Sequence, residues 1–98
     1  MTLPVVWLPE AAADLDEART WYDAIHPDLG VRFAFAVDAA VDAIAQGPLR
    51  FQVLHKEIRR AGIKRFPYGI FIKLETHRIV VIACMHGRRN PRRWKIRA

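Results

Sequence analysis

With 98 residues, 52% hydrophobic and 27% charged, the chain has the size of a single domain, 1–98, on one core, and its composition excludes a disordered polymer. No apolar run approaches the roughly 20 residues of a membrane span, and no basic stretch precedes the short apolar run at residues 3–8, which does not read as a signal peptide; Cys84 stands alone, so no internal disulfide forms, and a cytoplasmic protein is expected. The net charge of +6 is split: residues 1–49 hold two Lys/Arg against eight Asp/Glu, a net of −6, whereas residues 50–98 hold fourteen against two, a net of +12.

Leu3 to Leu8 reads as a short strand. Pro9 suits the first position of a helix, where its missing N–H costs nothing. Ala11, Leu15, Ala18, Tyr22 and Ile25 then recur at spacings of four and three, one apolar stripe of an amphipathic helix, with acidic residues crowding its first turns. His26-Pro27 ends it, and Asp28 is the expected N-cap of a second helix whose stripe is Leu29, Phe33, Val37, Ala40 and Ile44. Gly47-Pro48 is a helix stop. Phe35 falls on the outer face with Asp38 and Asp42, a candidate contact for a second copy in a homodimer.

From residue 50 the period shifts to strands: Arg50–Leu54, Ile58–Phe66, Tyr68–Leu74 and, after the polar turn Glu75–Arg78, Ile79–Met85. The last run is apolar throughout and rich in β-branched residues, so it is expected inside the sheet, buried on both faces. Gly62 is a candidate bulge, which leaves open which way Arg59, Arg60, Lys64 and Arg65 point. Residues 86–97 form a basic tail around one aromatic, Trp94. The expected architecture is α+β: an N-terminal strand and a two-helix hairpin packed on one face of a twisted, mainly antiparallel sheet in the order β-α-α-β-β-β-β, with a basic C-terminal tail.

The segments Ala13–Ala18 with Trp21-Tyr22, Gly30–Phe33, Arg59-Arg60, Lys64–Tyr68 with Ile70-Phe71, and Ile82-Ala83 through His86, Arg88, Pro91 and Trp94 resemble, in this order, the toxins of the RelE/ParE superfamily, and the ParE-like branch most. The resemblance implies a toxin neutralised by a cognate antitoxin. ParE-like proteins are associated with inhibition of DNA gyrase; RelE-like proteins cut mRNA on the ribosome. The shared fold leaves both open.

Metal-free RNA cleavage needs a base, an acid and cations on the strained phosphate. His86, with Arg65 and Arg88, is the candidate catalytic set; a His86–Glu57 pair is a weaker one. RelE-type enzymes place a tyrosine near the C-terminus, and here none follows Tyr68; Trp94 stands in the late aromatic position, and an indole cannot act as a base. This favours gyrase. The residues expected to bind the target or the antitoxin are Arg59, Arg60, Lys64, Arg65, Arg88, Arg89, Arg92, Arg93 and Trp94. Of these, Arg59, Arg60 and Arg65 are expected on or beside the sheet and residues 88–97 in a docking tail. No metal spacing links His26, His55, His77 and Cys84, and no cofactor motif occurs. A third possibility is a non-toxic basic nucleic-acid-binding module, whose binding would fall steeply with salt.

Overall fold

The computed structural model describes residues 2–88 and 91–98. Five strands form one sheet in the order β1-β5-β4-β3-β2. They are β1 (Val5–Trp7), β2 (Val53–His55), β3 (Ile58–Gly62), β4 (Tyr68–Leu74) and β5 (Ile79–His86). Only β1 runs parallel to its neighbour, pairing Val5–Trp7 with Ile79–Val81; the other pairings are antiparallel. Helices α1 (Pro9–Ile25) and α2 (Pro27–Gln46) lie on one face, and a short helix α3 (Arg92–Lys95) lies on the other.

The two long helices meet at His26. Its extended backbone donates to the Tyr22 carbonyl, closing α1, while its Nδ1 accepts the Asp28 N–H at 3.1 Å, opening α2 with Pro27 at the first helical position. The expected cap was Asp28; His26 supplants it because a neutral imidazole nitrogen can accept an orphan N–H as an Asx side chain does. At the far end of α2, Gly47 closes the helix at φ −157° and is not left-handed. Its missing side chain makes room for Arg50, whose Nε would lie 2.5 Å from an added Cβ and whose guanidinium folds back onto the Ala43 carbonyl.

The stripes read from the sequence are the buried ones. Ala11, Ala18, Tyr22, Phe33, Val37 and Ile44 pack on Ala61, Ile70, Ile72, Ile79 and Val81. Each fully buried Ile or Phe contributes about 1.5–3 kcal/mol. Ile25 departs from its stripe and is 58% exposed. Three strands are shorter than expected, β1 keeping only Val5–Trp7 of residues 3–8. A 3-10 turn at Pro48–Arg50 removes the start of β2, and β3 stops at Gly62 as the chain turns through Arg65, whose φ is 71°.

The bulge is not at Gly62, which pairs regularly with Gly69. It lies in β5: Phe71 pairs with Ala83 and Ile72 with Val81, leaving Ile82 as the extra residue. Side-chain parity slips there. Ile82 and Ala83 both face the α3 side, and Cys84 returns to the helix side.

Candidate functional site

The slip in β5 places His86. Counted by strict alternation from Ile79, His86 would face α3; with Ile82 inserted it pairs with Tyr68 and packs edge-on against that ring at 5.5 Å, on the side of α1. Tyr68 belongs to an aromatic cluster with Tyr22, Phe33 and Phe66, centroids 4.9–5.9 Å apart. Burial and the neighbouring Tyr68 push the Tyr22 phenol above its ordinary value.

This cluster and α1 bound a groove. Its walls include Glu17, Trp21, Pro67, Tyr68, His86 and Arg88. Trp21 stands 63% exposed on the α1 side. His86 Nδ1 accepts the Arg88 N–H at 3.0 Å. The neutral ring therefore carries its hydrogen on Nε2 and offers the groove a donor, not a base. Arg88 is exposed, and its guanidinium makes no hydrogen bond or ion pair among the described residues.

The remaining residues expected at the site are dispersed. Arg65 and Lys64 line a different groove, against α2. Glu57 does not meet His86: Ile58 pairs with Lys73 and His86 with Tyr68, so Glu57 and His86 sit at opposite ends of β4, roughly 20 Å apart along the strand. Arg59 is tied to the Phe51 carbonyl at 2.7 Å and holds the loop after α2. Arg60 points to the α3 side, over Gly69. A Cβ at Gly69 would lie 2.4 Å from its Nε, and one at Gly87 would lie 3.5 Å from its Nη2. The Arg60 guanidinium has no hydrogen-bond or ion-pair partner among the described residues, and Gly62, Gly69 and Gly87 leave it room.

The basic tail is not free. Trp94 is buried and stacks on Phe71 with centroids 4.7 Å apart, and Arg97 reaches Asp14 on α1. Arg92 and Arg93 remain exposed, and Arg93 reaches the rim near His86; Arg89 lies outside the described residues. Sequence reasoning missed Arg97 and Trp21. Trp21 carried a signal, a large aromatic off the apolar stripe of α1. Arg97 carried none, because one arginine in a basic tail looks like the next.

Cys84 is buried, and burial, with Asp14 nearby, pushes its thiol up to about 12. It is not a nucleophile at neutral pH.

A chain in the solved chromosomal ParDE toxin–antitoxin system of P. aeruginosa is similar in fold: TM-score 0.76 at 17% identity, covering 87% of this chain and 96% of that one. A chain of the RelBE2 toxin–antitoxin complex from Mycobacterium tuberculosis aligns with TM-score 0.62 at 18% identity, covering 88% and 99%. No curated protein matches the sequence. The family model described as the ParE toxin of the type II toxin–antitoxin system parDE matches residues 5–91. With its strand, helical hairpin and five-stranded sheet in place and nearly its whole length matched, the chain belongs to the ParE toxin family.

Proposed function

We propose that this chain arrests growth by binding DNA gyrase through protein contact in the cytoplasm, and that a cognate antitoxin holds it silent. The observation that carries this reading is the His86 hydrogen bond. With Nδ1 occupied by the Arg88 N–H, the imidazole presents a donor to the groove. RNA cleavage needs a base to take the 2′-hydroxyl proton, and this tautomer leaves His86 only the part of the acid. The other candidate groups do not converge on His86 either: Arg65 lines another groove, Glu57 lies at the other end of β4, and Trp94 is buried against Phe71. The groove offers instead an exposed indole beside a guanidinium, the side-chain types that dominate protein interfaces. Two relatives of the same fold were solved as toxin–antitoxin assemblies, which supports the antitoxin partner.

Purified protein should inhibit gyrase supercoiling at saturating concentration and leave messages intact in a translation reaction mapped by primer extension. Unaffected gyrase overturns the reading. A ribosome-dependent endoribonuclease is the second reading, favoured by Arg88, whose guanidinium has no partner among the described residues and shares a groove with His86. Cut messages, abolished by His86→Ala, would establish it.

A further inference from the structure

The face of α2 turned away from the sheet carries its own pattern. Gly30, Phe33, Val37 and Ile44 are the buried residues of the helix. Opposite them, Asp28, Arg32, Phe35, Ala39, Asp42 and Gln46 fall within an arc of about 80°, and all six are exposed. Their spacing alternates between four and three, the repeat of a coiled-coil seam. Phe35 projects from it at 70% exposure. The side chains of Asp28, Arg32 and Asp42 make no hydrogen bond or ion pair among the described residues. Beside Ala39 lies a hollow walled by Ala36 and Phe66. Lys64 and Arg65 border the same hollow but are exposed, where salt screens like charges.

The order of the seam inverts about Val37. Reflected through that point, Phe35 falls on Ala39, Arg32 on Asp42 and Asp28 on Gln46. Two antiparallel helices align their residues by this reflection. We propose that α2 is a self-association surface: two copies of this chain pair antiparallel along the seam, about a two-fold axis at Val37. Phe35 of each copy packs on the partner's Ala39, at the edge of the hollow, and Arg32 meets the partner's Asp42. The Gln46 carboxamide donates to the partner's Asp28. The two-fold axis makes every one of these contacts twice. A parallel pair would set Arg32 on the partner's Arg32 and Asp42 on the partner's Asp42. A nucleic acid drawn to Arg32 would be repelled by Asp28 and Asp42, and a partner segment of one charge sign matches part of the seam and opposes the rest. None of the six seam residues lines the groove at His86, so the pair presents that groove twice, whatever its target.

The seam carries one large apolar side chain per copy, so the dissociation constant is expected on the order of 10–100 μM. The test is sedimentation equilibrium of the purified full-length chain from about 1 to 500 μM, beside Phe35→Ala, Arg32→Asp and Asp42→Arg. All three positions are exposed, and unchanged thermal melts in dilute solution report that the variants fold. Wild type should pass from monomer to dimer across this range, and each variant alone should dimerise at least about tenfold more weakly. An equimolar mixture of Arg32→Asp with Asp42→Arg should dimerise about as well as wild type, because in the mixed pair every carboxylate again faces a guanidinium. Wild type that stays monomeric throughout overturns the proposal. Dimers indifferent to all three substitutions place the contact elsewhere and overturn it too. Two weakened variants whose mixture stays monomeric overturn the antiparallel pairing. Monomeric wild type that binds single-stranded RNA, with binding lost in Arg32→Asp, assigns the face to nucleic acid and overturns the proposal as well. None of these outcomes depends on gyrase, so they leave the reading of the His86 groove to its own test.

Discussion

Asp14 and Arg97 hold one another across the edge of β5, 83 residues apart in sequence: Arg97 Nη1 lies 2.5 Å from Asp14 Oδ2 and Nη2 lies 3.3 Å from Oδ1. Strand β1 covers β5 only as far as Val81. Beyond that point the Cys84 N–H donates to Asp14 at 3.1 Å, and the Ile82 carbonyl accepts from Arg97 at 3.1 Å. The ion pair thus satisfies the two backbone groups left over at the bulge, and the bulge is what turns His86 toward α1. A buried backbone group left without a partner costs about 1–3 kcal/mol.

Asp14→Ala should therefore destabilise the fold by about 2–4 kcal/mol, combining the lost pair with the stranded Cys84 N–H. Arg97→Ala should cost a comparable amount, because it strands the Ile82 carbonyl and leaves the Asp14 carboxylate without its cation. In a double-mutant cycle read by urea denaturation, the two losses should be less than additive. Strict additivity would mean that the pair does not act as a unit.

The thiol of Cys84 makes stability depend on alkaline pH. Its folded value is pushed up to about 12 from an ordinary 9.0, so the native state holds the proton more tightly than the unfolded chain. The contribution is complete below pH 9 and is lost as pH rises from 9 toward 12, at up to about 1.4 kcal/mol per pH unit. Tyr22, also raised, acts with the same sign from its ordinary 10.0 upward. Between pH 9 and 10.5, wild type should lose about 2 kcal/mol more than Cys84→Ala loses over the same interval. Equal slopes would contradict the assignment. A thiol reagent should likewise label Cys84 rapidly only after unfolding.

Two glycines make opposite predictions. A Cβ at Gly30 would lie 1.5 Å from Asp23 Oδ1, yet the nearest atoms belong to the ends of the Asp23 and Arg19 side chains, an exposed pair free to swing away. Losing that pair costs about 0–1 kcal/mol, and replacing a helical glycine by alanine gains about as much, so Gly30→Ala should be near neutral in a thermal melt. Gly69→Ala must expel the Arg60 guanidinium. Its effect on stability should shrink by at least about 0.5 kcal/mol in an Arg60→Ala background, and an undiminished effect would show that Arg60 does not lie on Gly69.

The fold was legible wherever hydrophobic period separates two faces. The stripes through Ala11–Tyr22 and Phe33–Ile44 specify both helices, and the unbroken apolar run Ile79–Met85 specifies an interior strand. That same run hides the bulge. Where both faces are apolar, a slip in parity leaves no hydrophobic signature, so the orientation of His86 could not be read. Gly62 drew attention as the glycine in a strand, while the bulge formed at Ile82, with its backbone groups bound by Asp14 and Arg97 from distant parts of the chain. The cations were legible as a charge and not as a site. Arg59 is a loop brace, Arg60 rests on glycine, Arg65 and Lys64 border the α2 groove, and Arg88 stands by His86. The composition of the tail points to docking, but Trp94 turns it onto Phe71 through an aromatic contact that no local pattern announces.

The central claim is that the His86 groove grips a protein and does no chemistry. Its most direct measurement is gyrase supercoiling with purified wild-type, Trp21→Ala and His86→Gln proteins, run beside primer extension on a translated message. The account predicts inhibition by wild type, at least about tenfold weaker inhibition by Trp21→Ala, intact messages throughout, and substantial inhibition by His86→Gln, whose amide can still donate. Messages cut by wild type and spared by His86→Gln, with gyrase untouched, would contradict it.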